Sequence, residues 1–261
     1  IDEVRIYNRS LTASEVMEAY NHQHNDSKLL LWMPFNGTEG NVTTDFSGLG
    51  NNGECYEMAN QLCNWTTYGR PLYTKDYGRF QGGFQFNGID DYVGVCDDTS
   101  LNFGTGNLSI EAWINSDTWV NQGGIFGLGA NANSVAGYML RQVGTSGLQM
   151  IIGNGTVRKD ASKTGFSANV WYHVAGVVDR GNTEKLYVNG IEEASVDVST
   201  FTGSIDKAGD KLIGLHVISY FNGTIDEVRV YNRTLTPAEI NWSAGIDVQD
   251  LSGFGNTGKT Y

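Results

Sequence analysis

Residues Ile225–Glu239 read IDEVRVYNRTLTPAE, and the chain opens on nearly the same words. Ile1–Glu15 read IDEVRIYNRSLTASE, identical at 11 of 15 positions. In the first copy Asp2, Val4 and Ile6 alternate with Glu3, Arg5 and Tyr7, the period-two pattern of a half-buried strand with an acid at the mouth of its buried face. The later copy repeats this, placing Asp226 beside Val228 and Val230. A helix start follows the strand. Thr12 and Glu15 form a capping box with Leu11 and Val16 as a hydrophobic staple, predicting a short helix to about Tyr20. In the later copy Thr236 caps, Pro237 takes the first helical position and Glu239 closes the box.

A second echo works in the opposite sense. Asp45–Tyr56 (DFSGLGNNGECY) returns as Asp250–Tyr261 (DLSGFGNTGKTY). The order of the two echoes is tail, whole, head, as in a window cut from a tandem array. It predicts that residues 1–27 are the last strand, helix and linker of a preceding module. Residues 28–243 would form a complete domain, and 244–261 the head of a following one.

Composition bounds the class. The 261 residues are 40% hydrophobic and 18% charged, enough for one substantial core. Thirty-four glycines against three prolines describe many short strands joined by tight turns. The net charge of −12 argues against nucleic acid and anionic membrane surfaces as partners, and suits calcium. No stretch is long and apolar enough to insert in a membrane as a helix.

Ten N-X-S/T sequons lie at Asn8, Asn25, Asn36, Asn41, Asn64, Asn107, Asn154, Asn222, Asn232 and Asn241, none with a central proline. That density points to a glycosylated protein outside the cell or at its surface. Asn-Gly-Thr is also good turn chemistry, which accounts for Asn36, Asn154 and Asn222 alone. Cys55 and Cys63 are spaced for a local disulfide in an oxidising compartment, with Cys96 left over; three unpaired core thiols are the other reading.

Leu29–Phe35 reads as the first strand of the complete domain, and Asn52–Gly78 as an elaborated loop. Leu108, Ile110, Ala112 and Ile114 point one way; Ser109, Glu111, Trp113 and Asn115 point the other. Val170–Val178 is apolar on both faces, the mark of a central strand. Asn87-Gly88, Asn154-Gly155, Asn189-Gly190 and Asn222-Gly223 are dipeptides that primed hairpin turns favour. About a dozen short strands and one terminal helix predict an all-β fold, a two-sheet antiparallel jelly-roll sandwich.

The succession Asp45–Gly53, Phe86–Val93, Ser109–Ile114, Trp171–Ala175, Leu186–Gly190 and Phe221–Arg233 resembles the laminin-G-like, concanavalin A-like lectin/glucanase domains over roughly Lys28–Ile240. The resemblance implies a calcium shared by Asp45 and Asp226, with carbonyl oxygens around Asn51 and Asn52 completing the shell. Asp2 and Asp250 would be its equivalents in the flanking modules. The other reading of Asp226 is a carboxylate that accepts backbone N–H bonds. For function the fold alone decides little.

A retaining glycosidase needs two carboxylates about 5 Å apart. Glu111 stands alone on its strand face, so no enzyme is expected. Glu111 and Trp113 are instead the expected glycan platform, an aromatic beside a polar group. Two functions follow: a structural or adhesive building block of a glycosylated cell-surface stalk, sheath or filament, or a carbohydrate-binding module appended to a secreted enzyme. Extracellular glycans are partners in the second. In the first, the lone strand Ile1–Tyr7 adds to an edge of a neighbouring copy.

Overall fold

The computed structural model describes residues 10, 26–35, 42–57, 61–62, 71–74, 78–80, 82–95, 99–130, 135–245, 247–248 and 258–259. Asp2, Asp250, Cys63 and the sequon positions Asn8, Asn25, Asn36, Asn41 and Asn64 lie outside them, and Cys55 is described in its backbone alone.

The strands of the first half are β1 (Leu29–Met33), β2 (Val42–Thr43), β3 (Gly53–Glu57), β4 (Gln61–Leu62), β5 (Leu72–Thr74), β6 (Gly83–Asn87), β7 (Tyr92–Val95), β8 (Leu108–Ser116) and β9 (Gly124–Gly129). The second half adds β10 (Gly137–Val143), β11 (Gly147–Gly153), β12 (Arg158–Thr164), β13 (Trp171–Val178), β14 (Thr183–Val188) and β15 (Ile191–Asp197). It closes with β16 (Lys211–Ile213), β17 (Leu215–His216), β18 (Ser219–Tyr220), β19 (Asn222–Tyr231) and helix α1 (Pro237–Ser243).

Two antiparallel sheets face each other. The first runs β15-β14-β13-β8-β19-β6-β5, with β1 on the second half of β19. The other runs β12-β11-β10-β9-β16-β7-β3-β2, with β4 on β3. Between them lies the main core, in which Ile110 and Ile114 of β8, Val174 of β13 and Val228 of β19 meet Leu140 and Met150 of the second sheet. The sheets approach closely at Gly176, where a Cβ would sit 2.4 Å from the Met150 sulfur. Strand β13 is paired on both sides, by β8 and β14, as its apolar sequence requires.

Three details differ from the sequence reading. The stretch taken as one long loop contains β3, β4 and β5, whose aromatic and polar content hides a period. Of the four Asn-Gly pairs, Asn189-Gly190 forms the two-residue hairpin turn, with both φ angles positive, between β14 and β15. Asn87-Gly88 instead leads from one sheet to the other, and Asn222-Gly223 opens β19 itself, where a Cβ on Gly223 would lie 2.1 Å from the Asn115 carbonyl oxygen.

The third difference decides the site. Glu227 has φ +52° and the register of β19 against β8 shifts between Asp226 and Arg229. This bulge turns Asp226 to the face it shares with Trp113, away from the core side of Val228 and Val230. A one-residue slip exchanges the faces of a strand. The same bulge marks where β19 stops pairing with β6 and starts pairing with β1.

Candidate functional site

The centre of the first sheet's outer face, over β8, β13 and β19, is covered. Helix α1 is held by the capping box, Thr236 Oγ1 accepting from the Glu239 N–H and Glu239 Oε2 from the Thr236 N–H. It lays Ile240 and the preceding Leu235 on Ala175, Val177, Tyr187 and Tyr231. Beneath the helix Glu111 is 1% exposed and Trp113 5% exposed. Glu111 Oε1 accepts from the hydroxyls of Tyr231 and Ser243, each at 3.1 Å, and lies 3.4 Å from Arg229. The His173 ring stands 3.4 Å from its other oxygen. Trp113 donates to the Ser243 carbonyl at 3.2 Å, with the Arg79 guanidinium 4.4 Å above its ring. The expected glycan platform at Glu111 and Trp113 is therefore corrected: alternation named the face, but a helix more than a hundred residues later covers it.

Asp226 belongs to this covered centre. Its Oδ2 accepts from the backbone N–H of Arg79 (2.8 Å) and Phe80 (3.1 Å), and its Oδ1 from that of Glu227 (2.8 Å). Burial and the neighbouring Glu227 push its carboxyl up to about 7. Asp45 is more completely engaged. Its Oδ1 accepts from the N–H of Trp32 (3.0 Å) and Ser47 (2.8 Å), and its Oδ2 from the Ser47 hydroxyl (2.7 Å) and the Asn51 N–H (2.9 Å). A carboxylate offers about four acceptor positions, and all are taken. Asn51 donates to Leu30 O, while Asn52 Oδ1 accepts the Asp45 N–H. Among the described residues no group of three or more His, Cys, Asp and Glu side chains is placed to hold a metal ion. The donors on Asp45 and Asp226 fit a loop pinned by backbone capping and do not fit a calcium shell.

The outer face of the second sheet carries a different arrangement. Arg141 on β10 is buried, yet faces away from the core. Its Nε and Nη2 donate to Gln149 Oε1 on β11 at 3.0 and 2.9 Å, and its Nη1 to Gln122 at 3.2 Å. Gln149 Nε2 donates onward to Asp160 on β12 at 2.8 Å, and Asp160 pairs with Arg158 at 3.1 Å. His216 on β17 lies 3.0 Å from Arg141 and, through its other nitrogen, 3.0 Å from the Gly129 carbonyl. Burial and the adjacent Arg141 hold the His216 ring down at about 4, so it is neutral at pH 7.

This row of polar groups crosses three neighbouring strands, roughly 10 Å at the usual strand spacing. It emerges to solvent at Arg158 and Asp160, whose side chains are 26% and 30% exposed, and at exposed Ser162. Beside it the β17–β18 turn exposes Val217 and Ile218. None of these residues was singled out from sequence. The signal was there: Arg141 interrupts the apolar run Tyr138–Leu140, and a strand arginine fully enclosed by amides signals a built polar site.

Five sequon asparagines are described. Asn232 is exposed, and Asn107, Asn222 and Asn241 are half-buried. The Asn154 amide nitrogen, where a glycan would attach, donates to the Thr202 carbonyl at 2.6 Å.

Comparison with known proteins agrees with the architecture. Domain 4 of AbnA, a GH43 extracellular arabinanase from Geobacillus stearothermophilus solved in complex with arabinotriose, superposes with TM-score 0.63 at 20% identity, covering 83% of this chain and 98% of that one. The binding domain of botulinum neurotoxin serotype G gives TM-score 0.63 at 14% identity over 83% of this chain and 50% of its own. The binding domain of Paraclostridial Mosquitocidal Protein 1 gives 0.60 at 18% identity, over 83% and 52%. No curated protein sequence matches the chain. A family model described as the concanavalin A-like lectin/glucanases superfamily, of laminin G type, matches residues 87–241, more than half of the sequence. With the paired sheets and the covering helix, this places the chain in the concanavalin A-like lectin/glucanase superfamily as a laminin-G-like domain.

Proposed function

We propose that the chain is a non-catalytic binding module that holds a neutral oligosaccharide on the outer face of the second sheet, as an adhesive unit of an extracellular glycosylated protein. The observation that carries this is the row Arg141–Gln149–Asp160–Arg158. Buried Arg141 and Gln149 hold Asp160, and through it Arg158, in place where the row reaches solvent, and polar groups fixed beforehand are what recognition of sugar hydroxyls needs. A net charge of −12 disfavours a polyanionic glycan. Glu111, enclosed by Arg229, Tyr231 and Ser243, serves the fold, and this supports a non-catalytic reading.

The test is calorimetric titration of the whole chain with neutral oligosaccharides, arabinan fragments included. Arg158→Ala is expected to weaken binding about tenfold or more, the loss of one or two good hydrogen bonds, with the melting temperature little changed; Asp160→Ala, which also orphans the buried Gln149 amide, should weaken binding similarly and lower the melting temperature by a few degrees. Absence of binding to any neutral oligosaccharide, or variants that bind as well as the parent, removes the proposal.

The paired echoes favour a second reading, a repeat unit of a cell-surface stalk or filament. Electron microscopy of native material distinguishes it: continuous fibres with a regular repeat support it, and separate particles do not.

A further inference from the structure

The hairpin β17–β18 turns on Val217 and Ile218, above the paired residues His216 and Ser219. Val217 has φ +60° and Ile218 does not share the positive sign, which is the two-residue turn whose first position Gly normally fills. A residue branched at Cβ takes that conformation only under strain. Both side chains also face water, Val217 53% and Ile218 84% exposed, and neither joins a hydrophobic cluster. A hairpin that merely connected β16 to β19 would be better served by Gly at 217 and a polar residue at 218.

The base of the hairpin is fixed as firmly as its tip is exposed. Leu215 and His216 are buried, and a Cβ on Gly124 would lie 2.3 Å from the Leu215 carbonyl oxygen, so β17 presses directly on β9. His216, the residue before Val217, lies 3.0 Å from Arg141 and 3.0 Å from the Gly129 carbonyl. The Arg158 guanidinium, at the solvent end of the same polar row, is near enough to help hold the Arg141 and His216 pKa values down. A strained apolar tip is thus held at a set place beside the row. Strain kept at a fixed, exposed position points to a role in binding. Sugar hydroxyls suit the row and the C–H face of a sugar ring suits the tip, since ligand sites combine apolar surface with a few placed polar groups.

We propose that Val217 and Ile218 form the apolar wall of the oligosaccharide site, covering the C–H face of a neutral sugar whose hydroxyls meet Arg158 and Asp160. This rests on the glycan reading of the row. It adds that the fold gives up stability at Val217 to hold the wall in place, a trade between stability and function.

The test is calorimetric titration of the full chain with linear xylo-, cello- and malto-oligosaccharides, taking forward the one the parent binds most tightly. Ile218→Ser is expected to weaken that binding about tenfold and to make its heat-capacity change less negative, the mark of lost apolar burial. Val217→Gly should weaken binding about fivefold while raising the melting temperature by about 2 °C or more, because Gly takes positive φ without strain. Ile89→Ser, at a 66% exposed isoleucine in the β6–β7 turn, should bind as the parent does. Tip variants that bind as the parent does, while Arg158→Ala weakens binding, overturn the wall and leave the row standing. A parent that binds no neutral oligosaccharide removes the row and the wall together. A dimer in sedimentation that Ile218→Ser dissolves, with sugar binding intact, gives the tip to a second copy and overturns the proposal. So does a Val217→Gly chain that melts below the parent, which ends the trade.

Discussion

The Tyr231 hydroxyl donates to Glu111 Oε1 at 3.1 Å, tying the two central strands β19 and β8 together on the face that α1 covers. Arg229, two residues earlier on β19, reaches the same oxygen at 3.4 Å and Glu227 at 2.6 Å. The duplicated strand thus carries two of the partners of a β8 carboxylate that α1 covers.

Burial alone raises the Glu111 pKa, but His173, Arg229 and Ser243 outweigh it and hold the carboxyl at about 2, against an ordinary 4.5. The folded value lies below the unfolded one, so this stability is present above the unfolded pKa and lost as pH falls through the folded one. Denaturant unfolding is expected to lose about 3 kcal/mol from this group between about pH 5 and pH 2. Glu111→Gln should flatten that slope. Glu111→Ala, which takes the acceptor from the Tyr231 and Ser243 hydroxyls while Arg229 keeps Glu227, should cost about 3 kcal/mol at neutral pH.

Glu184 behaves in the opposite sense. It faces the core from β14, fully buried; neither oxygen completes a hydrogen bond, and the nearby backbone of Ala161 offsets only part of the burial penalty. Burial drives its pKa well above the ordinary carboxylate value. Stability from the protonated group is complete below the unfolded pKa and declines as pH rises above it. Glu184→Leu should therefore stabilise the domain by about 1–3 kcal/mol at neutral pH, with a gain that grows on going alkaline. An unchanged melting curve at pH 8 would count against it.

His216 gives an acid-side signal distinct from Glu111. Its folded pKa of about 4 lies below the ordinary 6.5, through burial and the adjacent Arg141, so the unfolded chain takes up the proton first. Stability is expected to fall by up to about 3 kcal/mol as pH drops from about 6.5 to 4. The imidazole resonances of His216 should show no titration by NMR above about pH 5, and a normal midpoint would place the ring in solvent.

Calcium provides the fourth test. With four protein donors on Asp45, a chelator should leave the melting temperature unchanged, and added calcium should not raise it. A rise that grows with calcium concentration, as linkage requires of a bound ligand, would reopen the metal assignment. Asp45→Ala should cost about 2 kcal/mol or more through the orphaned Trp32 and Asn51 N–H groups.

The sequence by itself determined the elements whose cause is local. Alternation in Leu108–Asn115 separated core from outer face in β8, the apolar run of β13 marked a central strand, and Thr236 with Pro237 and Glu239 announced the start of α1. These signals are local because side-chain direction follows backbone period and a cap involves residues three apart. Tertiary structure decided what each face meets. The bulge at Glu227 moved Asp226 to the outer face, α1 buried Glu111 and Trp113, and Gln122, Arg141, Gln149, Asp160 and His216 came together from five separate segments. A period tells which residues share a face; only long-range packing decides whether solvent, a helix or another side chain lies over it.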